Sequence, residues 1–567
     1  MHLGIDMGTS YTKIAALADG EWLDITSEHS LIPTAAAYSP AAGQLYFGNL
    51  ALRLDEPGID KACFFKLDLK RCAQYRLGPY KLAELTEEFL SFLWNTYIKE
   101  EITDITSLSL SVPNYFGLNS RRILLDAARK ISGLTDIHLI PEPLAALMAY
   151  NTLNPSGPLE GAVLSIDMGG GTTDFSFMEA AGHMRELILE TQLQIGYDAF
   201  SGSELDLGII RNIFLPLYQI QTGYSIPDSF VTGTSLLPSE KQLYYQWLTE
   251  AEQLKLEVSC QGFSALYLSD FYKGASITSY IDQDSFLDRL EPVYERLWLY
   301  CQGTLRDRAV SLGLASADRW QLDCILLQGG ASLSPGVEQI IKRCFPDIPL
   351  IQSQQMNLVA RGLCCWNAYY LDRNTRLKTV YPFDFYQEVP DPEQKQSLLA
   401  KIPFDTANLE LEVRGRYQIL SLDTASILRE EQDKELALKI YEVAQGEEDI
   451  TRERFQGMEP VLNLTWQEEQ IPDQISVFLN MSLSSLETSE GYSLMAPEDG
   501  FAAFPDFVSR QIDALNLIKD YKYIHPDLIK DFAHHLQEQA RRSSPGDGHA
   551  QTLFYKLICL LQILDSR

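Results

Sequence analysis

Positive charge is what this chain has least of. Against 77 aspartates and glutamates stand 46 lysines and arginines, a formal net charge of minus 31. Such a surface repels nucleic-acid phosphates and anionic membranes, so neither is an expected partner. Cysteine chemistry is equally thin. The nine cysteines include no C-x-x-C pair, and the adjacent Cys364 and Cys365 are badly placed for a structural bridge. Reduced thiols in a cytosol fit that pattern. The eight histidines show no ligand spacing, and His534 and His535 lie in a polar helical stretch that reads as solvent-facing, so no zinc is expected. No basic segment precedes an apolar run at the start, where Asp6 arrives almost at once; a signal peptide is not expected. The most apolar run, Leu553 to Leu564, is too short to span a bilayer and contains Lys556. The expectation is a soluble, cytoplasmic protein.

What the chain does have is length and an ordinary globular composition. With 567 residues, 46% of them hydrophobic, it exceeds one core and leaves little room for long disorder. Up to about Tyr370, short apolar runs alternate with helical patterns, as in "SLSLSVP" followed by "SRRILLDAARKISG", an α/β rhythm. Ile123, Leu124, Ala127, Ala128 and Ile131 fall at helical spacing, and Gly133 stands just past the last turn, so a helix is predicted there. From Thr379 the texture becomes proline- and aromatic-rich, then alternating, as in "LALKIYEVAQG" and "QISVFLNMSLSSL". The predicted domains are 1–375, α/β; 380–500, β-rich; and 504–567, a helical segment interrupted by "SSPGDG".

One tetrapeptide occurs twice. Ile5-Asp6-Met7-Gly8 returns as Ile166-Asp167-Met168-Gly169, followed by Gly170, Gly171, Thr172, Thr173 and Asp174. Val163 to Asp167 reads as a buried strand and Thr172 to Met178 as its antiparallel partner, with the glycines at the hairpin tip. Glycines in a row turn several backbone N–H groups to one side and let an anion approach, since no Cβ intervenes. Alone they would read as a loose turn. Each copy, however, ends its strand on a carboxylate, and two carboxylates facing a polyphosphate repel it unless a divalent cation lies between. Magnesium, held largely through its water shell, is therefore expected.

These motifs resemble the two phosphate loops of the actin, hexokinase and heat-shock chaperone ATPase superfamily, and "CILLQGGASLSPGVEQII" (Cys324 to Ile341) resembles its adenosine motif of strand, paired glycines and a helix opened by Pro335. Between them, "LSLSVPNYFGLNSRRILLDAARKISGLTDIHLIPEPLAALMAYN" is similar to the connecting segment of the DnaK-type heat-shock chaperones. The resemblance covers roughly residues 1 to 370. It implies a two-lobed actin-like ATPase with duplicated ribonuclease-H-like lobes, binding ATP or ADP with Mg2+. By position, Gly8, Thr9, Ser10 and Tyr11 belong to the first phosphate loop, and Gly169, Gly170, Gly171 and Thr172 with Asp174 to the second. Asp6 and Asp167 would hold hydrated magnesium. Glu142 matches an acid beside the γ-phosphate, and Thr172 joins Lys66, Glu142 and Asp167 in the implied catalytic set. Lys66 matches the lysine that positions the attacking water, with Lys70 and Lys61 as alternatives. Gly202 opens a helix resembling the family's G-x-D/E-x-D start, while Glu252, Lys255, Ser259, Gly329 and Gly330 fall where adenosine contacts are implied. Pro113 and Arg121 match the pair that relays nucleotide state outward.

Departures accompany the match. Leu333 stands where bacterial chaperones carry an adenine-stacking arginine, Met356 or Asn357 replaces a late aspartate, and "RLKTVYPFDF" replaces the acidic, leucine-rich linker. The segment between Asp6 and Pro113 is shorter than in typical chaperones, trimming a peripheral subdomain. The run "LALKIYEVAQGEEDITRERF" is distantly similar to a chaperone substrate-binding domain, with unrelated strands of common composition as the alternative. The acidic C-terminal tetrapeptide is absent, so docking of the usual eukaryotic cochaperones through it is not expected. A chaperone-like ATPase acting on a protein client or cochaperone-like partner is the leading expectation; a small-molecule kinase or a filament-forming actin-like ATPase are the alternatives.

Overall fold

The computed structural model describes residues 1–488 without 27–30, 55–57, 64, 70–74, 100, 114, 183–187, 198, 228–237, 317–318, 354, 371–375, 382, 391–396, 405–410, 413–415, 424–434, 445–457, 468–473 and 482–483. It divides into two compact units, Met1–Phe116 with Ile123–Val380, and Gly117–Arg122 with the chain from Tyr381. The helical segment expected at 504–567, with His534, His535 and the apolar run, lies outside the described residues, as does Lys70.

The first unit contains two sheets built on one plan. In the first, β1 (His2–Met7), β2 (Tyr11–Ala18) and β3 (Glu21–Asp24) form an antiparallel meander. β4 (Ser107–Val112) then lies parallel to β1, and β5 (Ile137–Pro141) parallel to β4, for an order of β5-β4-β1-β2-β3. In the second, β6 (Gly161–Met168), β7 (Thr173–Ala181) and β8 (Ile188–Tyr197) repeat the meander. β9 (Cys324–Gln328) runs parallel to β6 and β10 (Leu350–Gln352) parallel to β9, giving β10-β9-β6-β7-β8. The repeated tetrapeptide closes β1 in one sheet and β6 in the other, so the sequence repeat is the trace of a repeated fold. Each sheet has its own core, around Leu3, Phe89 and Leu110 in the first and around Ile166, Phe175 and Leu327 in the second. The uninterrupted "CILLQ" of β9 is buried throughout, the pattern of a parallel strand covered on both faces.

The helices that matter for the site are α1 (Phe65–Asp68), α2 (Leu118–Ser132), α3 (Glu142–Leu153), α4 (Gly202–Ile209), α5 (Pro238–Gln261) and α6 (Leu358–Cys365). The periodicity-predicted helix is α2, and Gly133 sits at φ 68°, the left-handed conformation that ends helices at low cost. Pro143 to Ala149 of α3 are all buried, so this helix is enclosed on every side, as its lack of a polar face dictates. It packs against α6 so closely that a Cβ on Gly362 would collide with the Ala145 carbonyl. One expectation needs correction. The helix after the paired glycines starts at Val337 rather than Pro335, because Gly330–Leu333 forms a separate 3-10 turn and Gly336, at φ 85°, sets the helix entry.

The segment found in place of an acidic linker, Arg376–Thr379, is a strand, β11, paired in parallel with β8. Leu377 is buried and Lys378 Nζ lies 2.5 Å from Glu190 Oε1.

The second unit is strand-rich. β12 (Phe383–Pro390), β13 (Ser397–Lys401), β15 (Glu435–Ala444) and β16 (Leu462–Gln467) form one sheet in the order β13-β12-β15-β16; β14 (Arg416–Asp423), β17 (Gln474–Asn480) and β18 (Ser485–Thr488) form another. Phe385, Ile440 and Leu462 from one sheet share a core with Val477, Leu479 and Leu486 from the other. Within this unit Glu442 is half-buried, accepting hydrogen bonds from the Leu118 amide (3.0 Å) and the Tyr381 hydroxyl. Burial pushes its carboxyl up to about 7, against those hydrogen bonds and the nearby Arg121 guanidinium.

Candidate functional site

The first loop is short because β1 and β2 are joined by only three residues, Gly8, Thr9 and Ser10. Gly8 donates its amide to the Asp6 carbonyl (3.0 Å), and a Cβ there would strike the Tyr11 carbonyl, so only glycine fits. Asp6 closes β1 at 5% exposure. Its Oδ1 accepts from Ser111 Oγ at 2.7 Å and its Oδ2 from Lys13 Nζ at 3.2 Å. Burial works against the charge, but the ammoniums of Lys13 and Lys66 and the Ser111 hydrogen bond outweigh it and hold the carboxyl below its ordinary range.

The second loop is the predicted glycine hairpin. The Gly169 amide donates to the Thr172 carbonyl at 2.9 Å, and the start of α4 is tied onto the loop by Gly202 N to Gly169 O (2.9 Å) and Ser203 N to Gly170 O (2.8 Å). Ser201 caps α4, its side chain accepting from the Glu204 amide. The two loops meet. A Cβ on Gly170 would collide with Ser10 Oγ, so the tip of one glycine turn rests on the other. Gly329, at φ 85°, is equally tight, since a Cβ there would strike Asp167 Oδ1 and the Met168 carbonyl.

Asp167 is surrounded differently from Asp6. Its cross-strand neighbour is Asp174, and on the parallel side its neighbour is Gln328, whose Nε2 donates to Oδ2 at 3.4 Å. Removal from water, then the charge of Glu142, push its carboxyl up to about 8; Asp174 and Asp6 add to this and Lys13 opposes it. Thr172 Oγ1 donates to Asp174 Oδ2 at 2.9 Å. Lys66, on α1, is 3% exposed and donates to Glu142 Oε1 at 2.6 Å, where β5 turns directly into α3. Lys61 is elsewhere, bonded to the Leu52 carbonyl. The structure thus brings Asp6, Lys66, Glu142, Asp167, Thr172 and both glycine turns to one place.

A divalent cation fits this donor set. The carboxylates of Asp6, Glu142, Asp167 and Asp174 outnumber the ammoniums of Lys13 and Lys66, and after burial itself the charges of Glu142, Asp174 and Asp6 raise the Asp167 carboxyl further. Among the described residues no three acidic, histidine or cysteine side chains converge tightly enough to grip an ion directly. A hydrated ion reached through water suits such spacing.

On the far side of the loops, Tyr11 donates its hydroxyl to Glu252 Oε1 at 3.1 Å, joining the first loop to α5. Lys255 Nζ bonds Asp206 Oδ1 (2.7 Å) and the Gly202 carbonyl (3.2 Å), which fixes α4 against α5. Burial, moderated by Lys255, pushes Asp206 up to about 6. Ser259 Oγ is turned onto the Lys255 carbonyl. Asn357 precedes α6 and donates to the Thr26 carbonyl, whereas the Met356 methyl lies over Gly330; Leu333 is half-buried. Pro113 and Arg121 fall in different units, Arg121 beside Tyr381 and Glu442. Sequence reasoning missed Lys13 and Glu442, and read Asp206 only as the last acid of the helix start that Gly202 opens. Only Lys13 had a legible signal, since folding "IDMGTSYTKI" into a hairpin sets it across from Asp6.

Comparison with known proteins agrees with this geometry. The model of the family described as Hsp70 protein matches residues 79–380, just over half of the chain. Similar curated relatives are a chaperone protein HscA homolog of Burkholderia lata, 25% identical over 387 residues covering 64% of this chain and 57% of that protein, and one of Methylobacillus flagellatus, 26% identical over 385 residues covering 64% and 56%. A third, from Haemophilus influenzae, is 23% identical over 385 residues. The chain thus matches little more than half the length of these relatives. Its first unit has the two-lobed α/β, actin-like architecture, a β-rich unit follows, and the chain belongs to the Hsp70 protein family.

Proposed function

We propose that this protein binds ATP and ADP with Mg2+ between the two loops, hydrolyses ATP, and uses the nucleotide state to control its grip on a protein client or cochaperone-like partner. The observation that carries the reading is the meeting of the two glycine turns, Gly170 on Ser10, with a carboxylate behind each and the Lys66–Glu142 pair beside them. The Gly8 and Gly169 amides close the two turns, and the backbone amides of Thr9 and Ser10 on one side and of Gly170 and Gly171 on the other offer donors to phosphate oxygens. When bound, the magnesium ion supplies charge neutralisation for the phosphates. Asp6 and Asp167 hold its water shell. Lys66, kept in place by Glu142, orients the attacking water, and Glu142 stands ready to accept its proton. Thr172 fixes Asp174 beside Asp167. No covalent nucleophile is needed, because phosphoryl transfer depends on positioning and charge.

On the adenosine side, Glu252, Gly329 and Gly330 meet ribose and base, while Lys255 acts by holding α4 and α5 together and Ser259 is turned back onto its own helix. The HscA relatives are named chaperones, and that name supports the partner reading. No helix among the described residues is long and apolar enough to cross a membrane, and Cys260, Cys301, Cys324, Cys344, Cys364 and Cys365 are unpaired thiols, which supports a cytoplasmic location. The test is phosphate release by the full chain with Mg-ATP, alone, with unfolded protein and with candidate sugars. Magnesium-dependent release that unfolded protein alters is expected. Transfer to a sugar would replace the reading with a kinase, and ATP-driven sedimentation with a filament.

A further inference from the structure

Lys13 is unused by the roles above, yet it occupies the centre of the site. It lies on β2 directly across from Asp6, so both side chains leave the same face of the sheet. Its side chain is 18% exposed, and its ammonium is 3.2 Å from Asp6 Oδ2. Asp6, Asp167 and Glu142 all attract it. It also reaches the phosphate loop itself, since a Cβ on Gly8 would stand 3.3 Å from Nζ. A cation placed against the loop's glycine lies where a phosphate oxygen would arrive.

The equivalent position in the second sheet makes the point sharper. Across from Asp167 stands Asp174, a second carboxylate. One wall of the site therefore sets a lysine across from its aspartate, where the other sets a second carboxylate.

We propose that Lys13 binds the nucleotide's phosphates as a tethered cation, shared between Asp6 and a phosphate oxygen, and so lowers the magnesium requirement for nucleotide binding. A flexible four-carbon stem lets the ammonium lean from the carboxylate toward the incoming oxygen without leaving either. The role rests on the nucleotide reading given above.

The test is calorimetric titration of the full chain with ADP, in saturating magnesium and in excess EDTA, for wild type, Lys13→Met and Lys13→Arg. Wild type should retain measurable ADP affinity in EDTA. Lys13→Met should lose about tenfold or more of that affinity in EDTA and clearly less in magnesium, the size of one charge-assisted hydrogen bond. Lys13→Arg should keep the wild-type response. Equal magnesium dependence in wild type and Lys13→Met overturns the proposal while leaving the nucleotide reading intact. Wild type that binds ADP in magnesium but loses all affinity in EDTA overturns it as well, whether or not Lys13→Met folds. Absence of binding under every condition sinks both.

Discussion

The two copies of "IDMG" share strand order, loop position and backbone chemistry, yet their surroundings push the two aspartates in opposite directions. Asp6 faces Lys13 and Ser111; Asp167, at the same place in its sheet, faces Asp174 and Gln328. The first is held below the ordinary carboxylate range and the second is pushed up to about 8. The geometry is repeated, and the residues on the two neighbouring strands, Lys13 and Ser111 in one sheet against Asp174 and Gln328 in the other, set the electrostatics. The contrast explains how one fold can make an asymmetric site. An ion added to it is drawn to the Asp167 side, where the charges of Glu142, Asp174 and Asp6 act together against Lys13.

Three experiments can break or sharpen that comparison. The largest effect is expected from Asp167→Asn, which should cut magnesium-nucleotide affinity about 100-fold, the scale for removing one fixed electrostatic partner. The same variant should stabilise the nucleotide-free protein. A carboxyl raised to about 8 costs stability as pH rises from about 4 toward 8, since its ionised form is disfavoured in the fold. The variant should therefore melt above wild type near pH 8 and with it near pH 4. Calorimetric binding and thermal melts read both, and a matching gain from Asp6→Asn would erase the distinction.

Gly170→Val comes next. Its side chain would drive the second loop off Ser10 and should weaken nucleotide binding about tenfold, the usual cost of overpacking a tight contact. Unchanged affinity would mean that the loops need not touch. The smallest effect carries the comparison into the second unit, where Glu442 is another carboxyl raised by removal from water, here against the nearby Arg121. Raised to about 7, it costs nothing near pH 4.5 and its full amount above pH 7, so melting of this unit should fall across that window. Glu442→Gln should flatten the decline; an undiminished slope would assign it to other groups.

Much of the first unit was legible because its signals are local. A strand ending in Asp-Met-Gly, a glycine run and a helix ended by Gly133 each lie within one stretch of chain, and order along the chain supplied the pairing of the two lobes. Lys66 could be named but not separated from Lys61 and Lys70 until α1 brought it to Glu142, 76 residues away. The electrostatics were not legible. Lys13 reads as a solvated lysine until register places it over Asp6, and Asp206 as a helix-face acid until α5 covers it. Arg121 was matched with Pro113 through the family resemblance, but the residues that enclose it, Tyr381 and Glu442, are more than 250 positions on. Partners at that separation leave no periodicity to read.

The strand Arg376–Thr379 bears on how the protein can be cut apart. It covers one side of β8 with a parallel ladder, a buried leucine and the Lys378–Glu190 pair. A fragment ending at 375, the boundary suggested by composition, would omit those four residues and leave the amides and carbonyls of Ile188 to Glu190 bare, an invitation to pair with another chain. Ending five residues later, at Val380, keeps the strand in place. The difference between a well-behaved fragment of the first unit and a sticky one thus rests on a segment shorter than two helical turns.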